Sequence, residues 1–345
     1  MNHDLFASPH LHPVKVDFDS RLISFVPMTR ATYRASSFLD RRTQAASLES
    51  LEVRIPDLLL AAAELPPPQG VVHYIFHAAF CCSTLLARYL DLIPPCFVLK
   101  EPLMLTEAAI VRPRAMAASV GLQSDSMANL PEWHRFLDLS IRLLSRRYVP
   151  EDVVVTKTND LCNSLGEILL ARDFESKAVF LTIGLKEFLL LVLKAPDRRQ
   201  WLRARLRRAQ KDAALIPELA GFDPAVMTEV EGGAYLWALN EALRARMCSA
   251  YPGRVLTIPG ESVADAPVEA VRAAAAHFEL PISNGLPKNI FSDATAARHA
   301  KDPSRSYNAR SRRKELKALE KQIGRETDGG VKWAIDNRVL FGGRL

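Results

Sequence analysis

The sequence predicts an α/β protein of three layers, with helices on both faces of a central, mostly parallel sheet. Three observations carry this. Short apolar, β-branched or aromatic runs recur at residues 71–76, 96–99, 153–155, 177–183 and 254–258. Between them lie stretches with large apolar residues at helical spacing, as at 85–90, 132–148, 234–250 and 267–278. Breakers punctuate the joins, among them Pro66-Pro67-Pro68 and Ile93-Pro94-Pro95. Strands that alternate with helices build parallel sheets covered on both sides.

The first strand–helix unit carries the clearest chemistry. After the strand at 71–76 comes His77-Ala78-Ala79-Phe80-Cys81-Cys82-Ser83-Thr84, a tight segment of mostly small residues, and then the helical run from Leu85. The first amides of a helix have no internal partner, and the macrodipole adds positive potential there. Small side chains let an anion approach those amides, and Ser83 and Thr84 add hydroxyl donors, so the segment reads as a phosphate site. It departs from the nucleotide triphosphatase loop G-x-x-x-x-G-K-[ST]: Cys82 stands in place of the second glycine and Ser83 in place of the lysine. An ATPase or kinase of that kind also needs a magnesium-holding aspartate at a strand end, and Asp160 is the acid near the third strand.

Two further strand ends face the same crevice, because ligands of open parallel sheets sit outside the carboxyl ends of the strands. The second strand ends in Lys100-Glu101-Pro102 and the third in Thr156-Lys157-Thr158. Glu101 can take a proton from an acceptor hydroxyl, or it is a helix-start carboxylate or an ion-pair partner of Lys100. Lys157 can neutralise charge developing on a transferred group, or it is a surface lysine.

The small-residue turn ending in two hydroxyl residues, "Ser-Thr-Leu-Leu", and the following Lys-Glu-Pro resemble the 5′-phosphosulfate loop region of sulfotransferases, in the form of their bacterial, carbohydrate and tyrosylprotein members. The resemblance runs with gaps from about residue 71 to 280 and implies a P-loop NTPase-like fold. It implies sulfuryl transfer from 3′-phosphoadenosine 5′-phosphosulfate (PAPS) to the hydroxyl of a small molecule, glycan or peptide, with no metal. Glu101 and Lys157 would be catalytic. His77, Ala79, Phe80, Cys81, Cys82, Ser83, Thr84 and Leu85 would bind the donor. The chain departs from the family at two places. Phe80 stands where most members carry Lys or Arg, and the Arg and Ser that hold the 3′-phosphate are not evident near Thr182 and Leu190, where Lys186 is the nearby base. A catalytically impaired phosphate-binding relative of the same fold, and a P-loop kinase or NTPase, are therefore the competing readings.

Residues 1–70 read as an N-terminal extension that packs on the main domain and carries no chemistry, with a hairpin at 14–26 and a short helix at 56–64. The sulfotransferase-like domain would span 71–283. From 284 to 345 the chain is basic, and the family covers its nucleotide with a basic C-terminal loop. Arg298, Lys301 and Arg305 would fill that role, or the run is simply solvated. A short helix is expected at 315–323. The basic run at 198–208 reads as a solvated face over the apolar stripe of Trp201, Leu202 and Leu206.

The 345 residues carry a net charge of +6, with 48% hydrophobic and 24% charged residues. That balance suits a polyanionic small ligand and lacks the clustered bases and aromatics of a nucleic-acid surface. The five cysteines include no C-x-x-C pair, which argues against a zinc site or disulfide framework and for a reducing cytoplasm. No apolar run of about 18 residues suggests a membrane span. Cys81 and Cys82, at a helix start, are candidates for lowered thiol pKa values, with packing against the sheet as the commoner outcome.

Overall fold

The computed structural model describes residues 2–40, 42–43, 50–68, 70–119, 130–282, 285–287, 290–292, 298–299, 302–306 and 309–345, the side chains of 2–4, 117–119, 298–299 and 302–306 excepted. The chain opens with helix α1 (Asn2–Ala7), the hairpin strands β1 (Leu11–Asp17) and β2 (Leu22–Pro27), helix α2 (Arg30–Ala35) and strand β3 (Leu51–Arg54), which pairs antiparallel with β2. Helix α3 (Ile55–Glu64) follows.

Strand–helix alternation then begins. The order is β4 (Val72–His77), α4 (Ser83–Leu90), β5 (Cys96–Lys100), α5 (Leu103–Ser119), α6 (Leu130–Leu144), β6 (Val153–Lys157), α7 (Gly166–Arg172) and β7 (Ala178–Thr182). It continues with α8 (Leu185–Leu193), α9 (Pro196–Ala213), α10 (Glu229–Ala250), β8 (Val255–Pro259), α11 (Gly260–Asp265) and α12 (Pro267–His277). A short antiparallel pair, β9 (Arg298–His299) and β10 (Asp302–Ser306), precedes the long helix α13 (Ala309–Asp336).

Five strands form one parallel sheet in the order β5-β6-β4-β7-β8. The first strand of the unit thus lies in the middle. Its connection to β5 runs to one side, and later strands fill the other. The crevice beyond the end of β4 is where chain direction across the sheet reverses, and ligands of such sheets bind at that point.

The strands read as unbroken apolar runs because both faces are covered. Along β4, Tyr74 and Phe76 enter one hydrophobic cluster and Ile75 the other. Likewise Phe97 and Leu99 of β5 face the first cluster, and Val98 the second. The first cluster is completed by the N-terminal sheet and helices α3, α5, α6 and α7, the second by α4, α8 to α10 and α12. Helix α6 buries Trp133, Phe136, Leu137, Ser140, Leu143 and Leu144, a stripe at three- and four-residue steps. The C-terminal helix exceeds the expected 315–323 segment, its further turns carrying few large apolar residues that would reveal them in the sequence. Its buried positions include Leu319, Gly324, Thr327, Gly330 and Ala334, most of them small residues that let α13 approach α8 and α10 closely.

Candidate functional site

The segment from His77 to Leu85 wraps the end of β4 and the start of α4. Its conformation follows from two left-handed residues, Phe80 (φ 67°) and Cys82 (φ 64°), on either side of Cys81. Alternating hands along three residues turns successive N–H groups towards one side, the geometry of an anion nest. Cys82 is the N-cap of α4 and offers no side-chain cap. Its carbonyl accepts from Leu85 and Leu86 N–H (3.0 and 3.1 Å), while the amides of Ser83 and Thr84 precede the first intrahelical bond. The turn is supported from behind by Gly260, where a side-chain carbon would stand 2.3 Å from the Cys81 carbonyl oxygen.

His77 anchors the loop. Its ring nitrogens lie 2.9 Å from Ala78 O and 2.9 Å from Thr158 O. Burial, reinforced by the Lys157 charge, lowers its pKa to about 4, so the ring is neutral at pH 7 and donates to one of the two carbonyls. Asn163 donates to His77 O (2.9 Å) and to Asn240 Oδ1 (2.6 Å), tying the loop to α10.

Glu101 follows β5 immediately and is itself left-handed (φ 53°). Its N–H donates to Lys157 O (2.6 Å), and its carboxylate forms a buried ion pair with Lys157 Nζ. Asn159 Nδ2 donates to the second carboxylate oxygen (3.0 Å), and Arg42 approaches the same oxygen at 3.6 Å. Burial opposes ionisation of Glu101, but the Lys157 charge and the Lys157 and Asn159 hydrogen bonds prevail and hold its pKa below the usual glutamate range. Asp160 behaves alike: burial opposes its charge, and Arg205 Nε at 3.0 Å helps keep it ionised.

These groups line a cavity of about 330 Å³. All the predicted loop residues border it (His77, Ala79, Phe80, Cys81, Cys82, Ser83, Thr84 and Leu85), and so do Glu101 and Lys157. Of the seven non-glycine residues described with positive φ, three, Phe80, Cys82 and Glu101, stand on this one wall. Each costs about 1 kcal/mol or more, and such strain collects where a fixed geometry serves a ligand. The wall also carries six bases, Arg42, Arg88, Lys157, Lys194, Arg198 and Arg312, against three acids, Glu101, Asp160 and Glu315. The cavity therefore favours an anion.

Several expectations change. Lys100 does not reach the cavity or pair with Glu101: it is buried and bonded to Asp91 (3.1 Å). Lys186 is drawn to Gly324 O (2.9 Å) and to Asp328 of α13. Burial pushes the Cys81 thiol up to about 12, so the helix start does not activate it. Lys301 lies outside the described residues, and of Arg298 and Arg305 only the backbone, in β9 and β10, is described. The base that the C-terminal segment does bring to the loop is Arg312, which donates to Phe80 O (3.0 Å) and pairs with Glu187. Phe38 and Arg42 line the cavity too, from a region expected to carry no chemistry. So do Arg198 and Trp201 of α9, from a helix expected to be a solvated face. Their three-residue spacing was visible in the sequence, but not which way that face would turn.

A second hollow, of about 980 Å³, opens at the opposite end of the strands, beside Leu60, Phe174 and the start of β4. There Arg172 and Asp138 pair with each other at 2.9 Å, and the strand ends that carry Glu101 and Lys157 are remote.

No family model matches the chain, and no curated protein matches it. Among solved structures, a sulfotransferase from Alicyclobacillus acidocaldarius aligns at 16% identity over 81% of this chain and 98% of its own, with a TM-score of 0.38. The sulfotransferase domain from the curacin biosynthetic pathway aligns at 13% identity over 75% and 98%, TM-score 0.37. Sulfotransferase STF9 from Mycobacterium avium aligns at 9% identity over 79% of each chain, TM-score 0.38. These matched structures are all sulfotransferases. Among the described residues no helix is long and apolar enough to cross a membrane, and no group of metal-binding side chains is found.

Proposed function

We propose that the chain is a sulfotransferase that moves a sulfuryl group from PAPS to a hydroxyl acceptor. The observation that carries this reading is the meeting of Glu101 and Lys157 beside the anion-binding turn, inside one cavity with an excess of positive charge. The donor set fits a phosphosulfate ester: the loop amides that precede Leu85 at the start of α4, the Ser83 and Thr84 hydroxyls, and the cations that line the cavity. The donor supplies a sulfuryl group whose bridging oxygen leaves with the nucleotide phosphate.

In this scheme Glu101 accepts the proton of the acceptor hydroxyl as that oxygen bonds to sulfur. The electrons of the breaking S–O bond pass to the phosphate oxygen, and Lys157 and the loop amides neutralise them there. Held by Lys157, Glu101 is a weak base. When Lys157 turns to the leaving oxygen, its hold on the carboxylate loosens and Glu101 becomes basic enough to act. Asn159 keeps the carboxylate aimed meanwhile.

Assay with radiolabelled PAPS against phenols, sugars and tyrosyl peptides tests the reading, together with calorimetry using adenosine 3′,5′-diphosphate. Glu101→Gln is expected to lower turnover by roughly 10²–10³-fold without weakening diphosphate binding, because Lys157 loses its carboxylate partner inside the same cavity. Magnesium-dependent ATP binding with no affinity for the 3′,5′-diphosphate would overturn it. Phe80, which puts a ring rather than a charge in the loop, favours a second reading, a phosphate-ester-binding protein without transfer activity. Tight diphosphate binding with no transfer to any acceptor would select it.

A further inference from the structure

We propose that Arg198 of α9, presented on the face of the Phe80 ring, is the cation that binds the phosphate ester at the turn. This rests on the reading of the cavity as a phosphate-ester site. Most positive charges of the cavity are already spent on other groups. Lys157 is paired with Glu101, Lys194 with Glu315 (2.6 Å), and Arg312 with Glu187. Arg42 is held by Asp40 and approaches Glu101 at 3.6 Å. Arg88 is buried and donates to the Ser37 hydroxyl (2.7 Å). The carboxylate contact of Arg198 is its sequence neighbour Asp197, 3.8 Å away with a side chain 79% exposed. A pair in that much water neutralises little. The Arg198 side chain is itself only 16% exposed and borders the cavity.

Phe80 explains how the guanidinium is held there. Its ring centroid lies 4.7 Å below the Arg198 guanidinium carbon, a cation–π arrangement. The ring is fixed edge to face against Trp201 (5.2 Å) and tilted against Phe188 (6.2 Å). Its carbonyl accepts from Arg312, and its left-handed backbone places the side chain on this wall. A guanidinium stacked on a ring keeps its N–H edge available, and that edge suits two phosphate oxygens at once. The loop thus borrows from α9 a charge that its own side chains lack, and the strained aromatic residue is its pedestal. Phe80 is a positioning residue and Arg198 a binding one.

The test is calorimetry of the full chain with adenosine 3′,5′-diphosphate and, separately, pyrophosphate, with thermal melts as the folding control. Arg198→Gln is expected to raise Kd about 20-fold and to flatten its dependence on salt, while Arg198→Lys recovers only part of the loss. Phe80→Leu keeps the apolar bulk, removes the ring face and is expected to raise Kd about fourfold. The double variant should bind within about twofold of Arg198→Gln alone, since the pedestal serves only that cation. Arg203→Gln, on the same helix with its side chain 56% exposed, should bind as the parent does. Unchanged affinity in folded Arg198→Gln, or losses that multiply in the double variant, would overturn the proposal, as would a parent protein that binds neither probe. If only pyrophosphate binds, and does so through Arg198, the nucleotide-donor reading fails while this assignment stands.

Discussion

Lys157 and Glu101 each stand at the end of a strand, and each is buried because the other is there. Glu101 is 8% exposed and Lys157 1%. Removing one partner of a buried pair leaves the other charged in a medium that solvates it poorly. Lys157→Met should therefore destabilise the protein by about 3 kcal/mol, softened by the remaining Asn159 contact. Replacing both residues, Glu101→Gln with Lys157→Met, should recover much of that loss. Denaturant titration of the parent and the two variants checks this. Equal midpoints for the parent and Lys157→Met would show that the pair carries no such weight. The residue types were legible in the sequence, since both follow apolar strands. Their meeting was not, because it requires β5 and β6 to lie side by side with Lys100 opposite Lys157 in register.

The turn between β4 and α4 depends on what stands behind it as much as on its own residues. Gly260 begins α11, and any side chain there would meet Cys81 O at 2.3 Å and Thr182 O at 2.8 Å. Both are backbone atoms, which yield only if a strand end or the loop moves. Gly260→Ala should cost roughly 1–3 kcal/mol and weaken binding of adenosine 3′,5′-diphosphate by displacing the turn. A parent-like melting temperature and affinity would contradict the close packing. In the sequence Gly260 looks like an ordinary helix-start residue. The loop it supports lies about 180 residues earlier, and no periodicity connects the two. Helix α13 teaches the same lesson. Its first turn falls in a polar, basic stretch of the sequence, yet Arg312 reaches the Phe80 carbonyl.

At the scale of the molecule, the buried His12 and the half-buried His73 add to His77 in setting a pH limit. Burial, then Arg146, lowers His12 to about 3; burial, then Lys177, lowers His73 to about 4. His73 Nδ1 accepts the Lys177 N–H (3.1 Å), a bond that protonation destroys. Both rings are neutral when folded, whereas the unfolded chain binds protons below about pH 6.5. Their contribution is thus complete above about pH 6.5 and declines as pH falls towards 4. Glu101 and Asp160, with depressed carboxyl pKa values, add a loss in the same direction at still lower pH. Unfolding free energy should drop by roughly 3 kcal/mol or more between pH 7 and about pH 4.5. Denaturant curves across that interval test this, and a flat profile would refute it.

By itself the sequence determined the layered α/β architecture, the five sheet strands and the turn between His77 and Leu85, because strand and helix periodicities and small-residue turns are local properties. It also singled out Glu101 and Lys157, since the ends of parallel strands share one edge. Tertiary structure alone decided which cations face that edge. Arg42, the neighbouring Lys194 and Arg198, and Arg312 come from three distant segments, Lys100 and Lys186 were drawn to Asp91 and Asp328, and the Phe80 ring came to lie under the Arg198 guanidinium. The reason is physical: a long basic side chain goes wherever packing leaves an acceptor or a ring within reach, and that is a property of the assembled fold.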